Sequence, residues 1–266
     1  MKWYGNLGEK YMKGAGVRKD EQKSVSFYRK AAEKGDNNAL FKLGSMCLRG
    51  DGIKKSPQKA AMFYRKAAEQ GHSESQFNLG CLHKNGKGVA KDDNKAVKYY
   101  HEAAEQGHAG AQFNLGLMHK EGLGIVKSDE KALVYYHKSA EQGHTNAQFH
   151  LGQMYFNGTG VKKDDTEAFK LYYKAAEKGQ VDAQFNLGNI YLYGNGVEKD
   201  FSEAMTWYRK AAEKGHANAQ FNLGDIFENG SGIGKDKQEA LKWYRKAAKQ
   251  GNRFAKESFK RLQGTT

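Results

Sequence analysis

The dipeptide Leu-Gly recurs at Leu7-Gly8, Leu43-Gly44, Leu79-Gly80, Leu115-Gly116, Leu151-Gly152, Leu187-Gly188 and Leu223-Gly224. A constant spacing of about 36 residues means that one supersecondary unit is copied without insertion or deletion, each copy packing only against its neighbours. This predicts one elongated domain over residues 1–266, with repeats at 3–38, 39–74, 75–110, 111–146, 147–182, 183–218 and 219–254 and a closing helix at 255–262.

Within the unit Ala111 to Gly143, apolar residues at Ala111, Leu115 and Met118, then at Ala132, Tyr135, Tyr136 and Ala140, recur at steps of three and four. That is the period of a helix with one apolar face. Each unit therefore reads as two short helices separated by a glycine loop, and the fold class is all-α.

The loop holds two glycines per copy, such as Gly50 with Gly52 and Gly122 with Gly124. The first suits a left-handed helix cap and the second a tight reversal. It is not a phosphate cradle, because no strand precedes it and no GK[ST] follows. The column Asp20, Ser56, Asp92, Ser128, Asp164, Asp200 and Asp236 starts the second helix with side chains that accept first-turn amide protons. Asp92-Asp93 and Asp164-Asp165 are thus read as caps and dipole partners rather than as a catalytic carboxylate pair. The second helix ends in small residues such as Ala67-Ala68 and Ala211-Ala212, followed by Gly71 or Gly215. Tyr28, Tyr64, Tyr100, Tyr136, Tyr172, Tyr208 and Tyr244 form an aromatic stripe at core spacing.

Histidine gives no metal site. His72, His108, His144 and His216 share a loop column after the closing glycine, and translation from copy to copy spreads them beyond the reach of one zinc. His83 and His119 replace the tyrosines of other copies and read as partly buried core, while His101 and His137 fall on an exposed side. No nucleophile and base are singled out in one irregular place, so no enzyme and no cofactor are expected.

The net charge of +14 is dispersed, without a run of five like charges. Lys54, Lys55, Lys162, Lys163, Lys174 and Lys210 keep nucleic-acid binding as an alternative, which a strong salt dependence would reveal. Hydrophobic residues make up only 38% of the chain, which suits a thin core, and no apolar stretch is long enough for a membrane span. Two cysteines, Cys47 and Cys81, cannot staple a chain of this size. The start, Met1-Lys2-Trp3-Tyr4-Gly5, has no signal-peptide core, which leaves the cytoplasm and leaderless export as an effector both open.

The composite AxxxLGxxYxxGxGVxxDxxKAxxWYxKAAExGxxxA, read from Ala183 to Ala219, resembles the Sel-one-like repeat family, a relative of the tetratricopeptide repeats. The resemblance covers essentially the whole chain. It implies antiparallel helix pairs stacked into a right-handed α/α superhelical solenoid, first helices lining a concave side, and an adaptor that assembles protein complexes. One secreted branch of the family is cysteine-rich and linked to β-lactam binding or hydrolysis. Its cysteine positions here hold Ala32 and Ala39, Ala68 and Ser75, Ala104 and Ala111, and Ala140 and Ala147, so that activity is not expected.

Two columns flank the Leu-Gly pair. The one before it holds Asn6, Lys42, Asn78, Asn114, His150, Asn186 and Asn222; the one after it holds Glu9, Ser45, Cys81, Leu117, Gln153, Asn189 and Asp225. By resemblance both lie at the inner face. Asparagine donates and accepts at once, which suits an extended peptide backbone. The expected ligand is therefore a protein or peptide, acidic in keeping with the basic charge, gripped by Lys42, Asn78, Asn114, His150, Asn186, Asn222, Ser45, Leu117, Gln153, Asn189 and Asp225. A competing role for the asparagines is to bridge neighbouring helices. A monomer is the expected state.

Overall fold

The computed structural model describes residues 2–264. Among them fifteen helices form and no strand does. Backbone contacts divide the helices into two compact units, Met1–Gln142 and Gly143–Thr266.

The first unit contains α1 Lys2–Lys13, α2 Glu21–Glu33, α3 Asn37–Arg49, α4 Pro57–Ala68, α5 Ser73–Asn85, α6 Asp93–Glu105, α7 Ala109–Glu121 and α8 Asp129–Glu141. The second contains α9 Thr145–Asn157, α10 Asp165–Glu177, α11 Val181–Tyr193, α12 Phe201–Glu213, α13 Ala217–Asn229, α14 Lys237–Lys249 and α15 Arg253–Gln263. In both, each helix packs on the next in sequence, as the repeat period requires. Helices of 13 residues are marginal alone, so the apolar faces shared between copies hold them.

The starts of the second helices follow the acceptor column. Asp92 accepts the Lys95 N–H, and Ser56 the Lys59 N–H. Pro57 occupies the first turn of α4, where its missing N–H costs no helical bond. The first helices are capped by a column read from sequence only as loop: Nδ1 of His72, His108 and His216 accepts the N–H of Ser75, Ala111 and Ala219, and Asp36 and Asn252 do the same elsewhere. The signal was present, because Asp36, His72, His108, His144, Gln180, His216 and Asn252 all carry an acceptor three residues before a small core residue.

The two loop glycines do different work. Gly122 closes α7 in the left-handed conformation. Gly124 sits against the backbone of the preceding copy, where a β-carbon would lie 2.5 Å from the carbonyl carbon of Asp93. The second glycine is therefore a place of contact between copies as well as a reversal.

The core is the tyrosine stripe with its small neighbours. Tyr64, Tyr100, Tyr136, Tyr208 and Tyr244 are essentially sealed from solvent, together with Ala60, Ala96, Ala132, Ala204 and Ala240. His83 and His119 are buried and stack on Tyr99 and Tyr135, with ring centroids 5.7 and 5.6 Å apart. Burial holds both imidazoles below their ordinary pKa. The closing helix α15 extends the expected 255–262 by a few residues, and Lys256, Glu257, Lys260 and Arg261 face solvent.

Candidate partner-binding site

The first helices carry the two columns beside Leu-Gly, and Leu79, Leu115, Leu187 and Leu223 between them are fully buried. That burial fixes the rotation of each helix, so the flanking residues are held at the edge of the core, half-buried at Asn78, Asn114, His150, Asn186 and Asn222. Lys42 is exposed, its Nζ 5.8 Å from the centre of the Phe41 ring. His150 packs edge-on against Phe149.

The core tyrosines point their hydroxyls into these columns. Tyr64 Oη lies 3.0 Å from Ser45 Oγ, which itself donates to the Phe41 carbonyl. Tyr100 Oη donates to Cys81 Sγ at 3.4 Å, and Tyr208 Oη to Asn189 Oδ1 at 2.7 Å. The asparagine of the following copy meets the same hydroxyl, Asn114 at Tyr100, Asn186 at Tyr172 and Asn222 at Tyr208. Burial raises the pKa of all three tyrosines well above the ordinary phenol value. These groups are neutral donors and acceptors at ordinary pH. Both columns thus carry bridging work: the hydroxyl ties the column after Leu-Gly to the asparagine of the next copy.

Part of each column remains open to solvent. In the second unit, Gln153, Phe156, Asn157, Tyr172, Asn186 and Asn189 line a cleft of about 230 Å³. In the first, Asn6, Glu9, Asn38, Lys42 and Asp36 line one of about 350 Å³ above Tyr28. Asn78 turns back, its Nδ2 donating to the Glu74 carbonyl of its own helix at 2.7 Å. Leu117 is half-buried without polar capacity. Asp225 accepts from Asn229, and its carboxyl is pushed up by withdrawal from water and by the neighbouring Glu228.

The lysines set aside for nucleic acid, Lys54, Lys55, Lys162, Lys163, Lys174 and Lys210, are all exposed. Among the described residues no three His, Cys, Asp or Glu side chains converge as a metal site would need, and no helix is long and apolar enough to cross a membrane.

The sequence profile of the Sel1 repeat matches seven times in succession, at 5–36, 37–72, 73–108, 109–144, 145–180, 181–216 and 217–252. The chain belongs to the Sel1 repeat family. Solved Sel1 repeat structures superpose on it closely. The protective antigen c5321 of uropathogenic Escherichia coli, described as displaying an SLR fold, is 35% identical with a TM-score of 0.95 over 99% of this chain. This chain spans 56% of that protein's length. A Sel1 repeat protein from Oxalobacter formigenes is 33% identical with a TM-score of 0.79, covering 92% of this chain and 96% of its own. Among curated proteins, none matches. The first profile match starts at residue 5, and each later one starts two residues before the frame read from the sequence, at 37 against 39 and 73 against 75, which places the cap residues Asp36, His72 and His108 at the copy boundary. The protein is a Sel1 repeat solenoid of the helix-turn-helix type, an architecture that serves in general as a scaffold for protein–protein interaction.

Proposed function

We propose that the protein is a scaffold that binds a segment of a partner protein along the columns flanking Leu-Gly. The observation that carries this reading is the clustering of Gln153, Asn186 and Asn189 around one cleft with Phe156 and Tyr172. Amides at the rim of an aromatic floor can satisfy a peptide's N–H and C=O groups while burying an apolar side chain. A second cleft on the same columns in the first unit, at Asn6, Glu9 and Lys42, supports the same reading. The net charge of +14 favours an acidic partner through faster encounter, with Lys42 the one cation within the columns.

The test uses peptides selected from a displayed random library against the whole chain. Replacing Gln153, Asn186 and Asn189 together by Ala is expected to weaken the selected peptides at least tenfold while circular dichroism stays unchanged. Undiminished binding overturns this placement of the surface. Retention of double-stranded DNA at about 0.1 M salt would favour the nucleic-acid alternative instead.

A further inference from the structure

A second recurring feature lies away from the Leu-Gly columns, between successive second helices. The first helices carry Leu40, Gln76, Gln112, Gln148, Gln184 and Gln220 at one core position. Just past the second helices stand Lys34, Gln70, Gln106, Gln142, Lys178, Lys214 and Gln250. Where both are glutamine their amides pair: Gln106 Nε2 donates to Gln76 Oε1 at 2.7 Å, Gln142 to Gln112 at 2.7 Å, and Gln250 to Gln220 at 2.8 Å. Each pair plugs the gap between neighbouring copies.

Two gaps where the pair is broken are open. With Leu40 in place of glutamine, a cleft of about 390 Å³ forms over Ala32, Leu40 and Phe63, and Gln70 Nε2 donates to the Lys66 carbonyl as Gln106 and Gln142 do to those of Glu102 and Lys138. With Lys214 in place of glutamine, a cleft of about 360 Å³ forms at the corresponding position, lined by Ala176, Gln184, Lys210, Glu213 and Lys214.

The second cleft holds an unmet acceptor. Gln184 is 4% exposed, and its Nε2 donates to the Ala176 carbonyl at 3.0 Å. Gln76, Gln112 and Gln220 hold the corresponding carbonyls of Ala68, Ala104 and Ala212 in the same way. With Nε2 held there as in the paired copies, Oε1 is the atom left for the gap, and it is buried with no hydrogen-bond partner among the described residues. Neither lysine supplies one, since Lys214 Nζ donates to the Gly179 carbonyl at 2.9 Å and Lys210 Nζ sits 3.8 Å over the Trp207 ring. A buried acceptor left unmet is costly, so the site rewards any donor that reaches it.

We infer that this cleft binds the carboxamide side chain of a glutamine from a partner protein. The fit is shown three times within the chain, where a glutamine amide enters the same gap and donates to the same acceptor. The rim balances Lys210 and Lys214 against Glu177 and Glu213, so charge selects no ion, and the neutral amide seated in the three internal pairs is the donor that fits. Glu177, Glu213 and both lysines form the charged rim expected around a desolvated anchor. The site shares no residue with the Leu-Gly columns, so it stands or falls apart from them.

The test is a titration of the full chain, with glutamine side-chain amides labelled with nitrogen-15, by N-acetyl-glutamine methylamide and by N-acetyl-glutamate methylamide. The glutamine probe is expected to shift the Gln184 amide resonance saturably, and the glutamate probe at least tenfold more weakly. Lys214→Gln recreates the internal plug and should abolish the shift, as should Gln184→Met, which removes the acceptor at similar volume. Absence of a shift with the glutamine probe, an equal shift with the glutamate probe, or persistence in Lys214→Gln overturns the assignment.

Discussion

The Tyr64 ring occupies the space that a β-carbon on Gly44 would need, with Cε1 and Cδ1 2.6 and 2.7 Å from that position. The same contact recurs between Gly80 and Tyr100 and between Gly116 and Tyr136. The glycine of every Leu-Gly pair is therefore a seat for the tyrosine about twenty residues later, and the dipeptide repeats because the ring does.

Gly44→Ala gains about 0.5–1 kcal/mol of helix propensity and loses about 1–3 kcal/mol to overpacking. The net expectation is a loss of about 1–2 kcal/mol, read as a lower urea midpoint with an unchanged slope. Trimming the ring with Tyr64→Leu should shrink the alanine penalty below about 0.5 kcal/mol in a double-mutant cycle. An alanine penalty that ignores the ring size would separate the two residues.

A different cost is expected at the loop glycines. Gly107 has a φ of +84° with nothing within 4 Å of a β-carbon, whereas at Gly124, φ +65°, that carbon would strike the backbone of Asp93. Gly107→Ala should cost the left-handed strain alone, about 1–2 kcal/mol. Gly124→Ala adds a clash with backbone that cannot rotate away, and should exceed about 3 kcal/mol. Equal melting temperatures for the two variants would refute the copy-to-copy contact.

Most of the fold was legible because a repeat shows each residue its own column. Caps at Asp92 and Ser56, the burial of Tyr100 and the buried His83 all follow from position in the unit. The histidine caps were missed because imidazole is an uncommon cap and the column follows a glycine, which reads as loop. The site was legible only as a set of columns. That Ser45, Cys81 and Asn189 receive a tyrosine hydroxyl depends on which side of the ring each faces, and a hydrogen bond between residues about nineteen apart leaves no spacing rule in a single chain. The glutamine plugs were invisible for the same reason, since their partners sit about thirty residues apart.

The histidine caps make stability depend on pH. Nδ1 of His72 and His216 must stay unprotonated to accept the Ser75 and Ala219 N–H, and burial lowers both pKa values. A base with a depressed folded pKa contributes stability that is whole above the unfolded value of about 6.5 and is lost as pH falls from there through the folded pKa. The urea midpoint should therefore fall between pH 7.5 and 5.5. His72→Asn with His216→Asn keeps the cap, as Asn252 does naturally, and should reduce that dependence, the remainder resting on the buried His83 and His119. A slope unchanged by the double substitution would place the titration elsewhere.

The last helix is tied down by one carboxylate. Arg261 Nη1 and Nη2 bind Glu228 Oε1 and Oε2 at 2.6 and 2.9 Å, and Tyr244 Oη donates to the same Oε2 at 2.8 Å. The Arg261 guanidinium holds the Glu228 carboxyl below its ordinary pKa. This support is present above the unfolded value of about 4.3 and is lost as pH falls through the lowered folded value. Because the Glu228 side chain is only 14% exposed, Arg261→Ala leaves a carboxylate with one remaining partner and should cost about 1–2 kcal/mol. Glu228→Gln with Arg261→Ala should recover part of that loss, since no charge is then stranded. Hydrogen exchange of the α15 amides reads both effects directly: protection should drop in the single variant and return partly in the double. Equal protection in the two would show that packing of Ala255 and Leu262, not the carboxylate, anchors the helix.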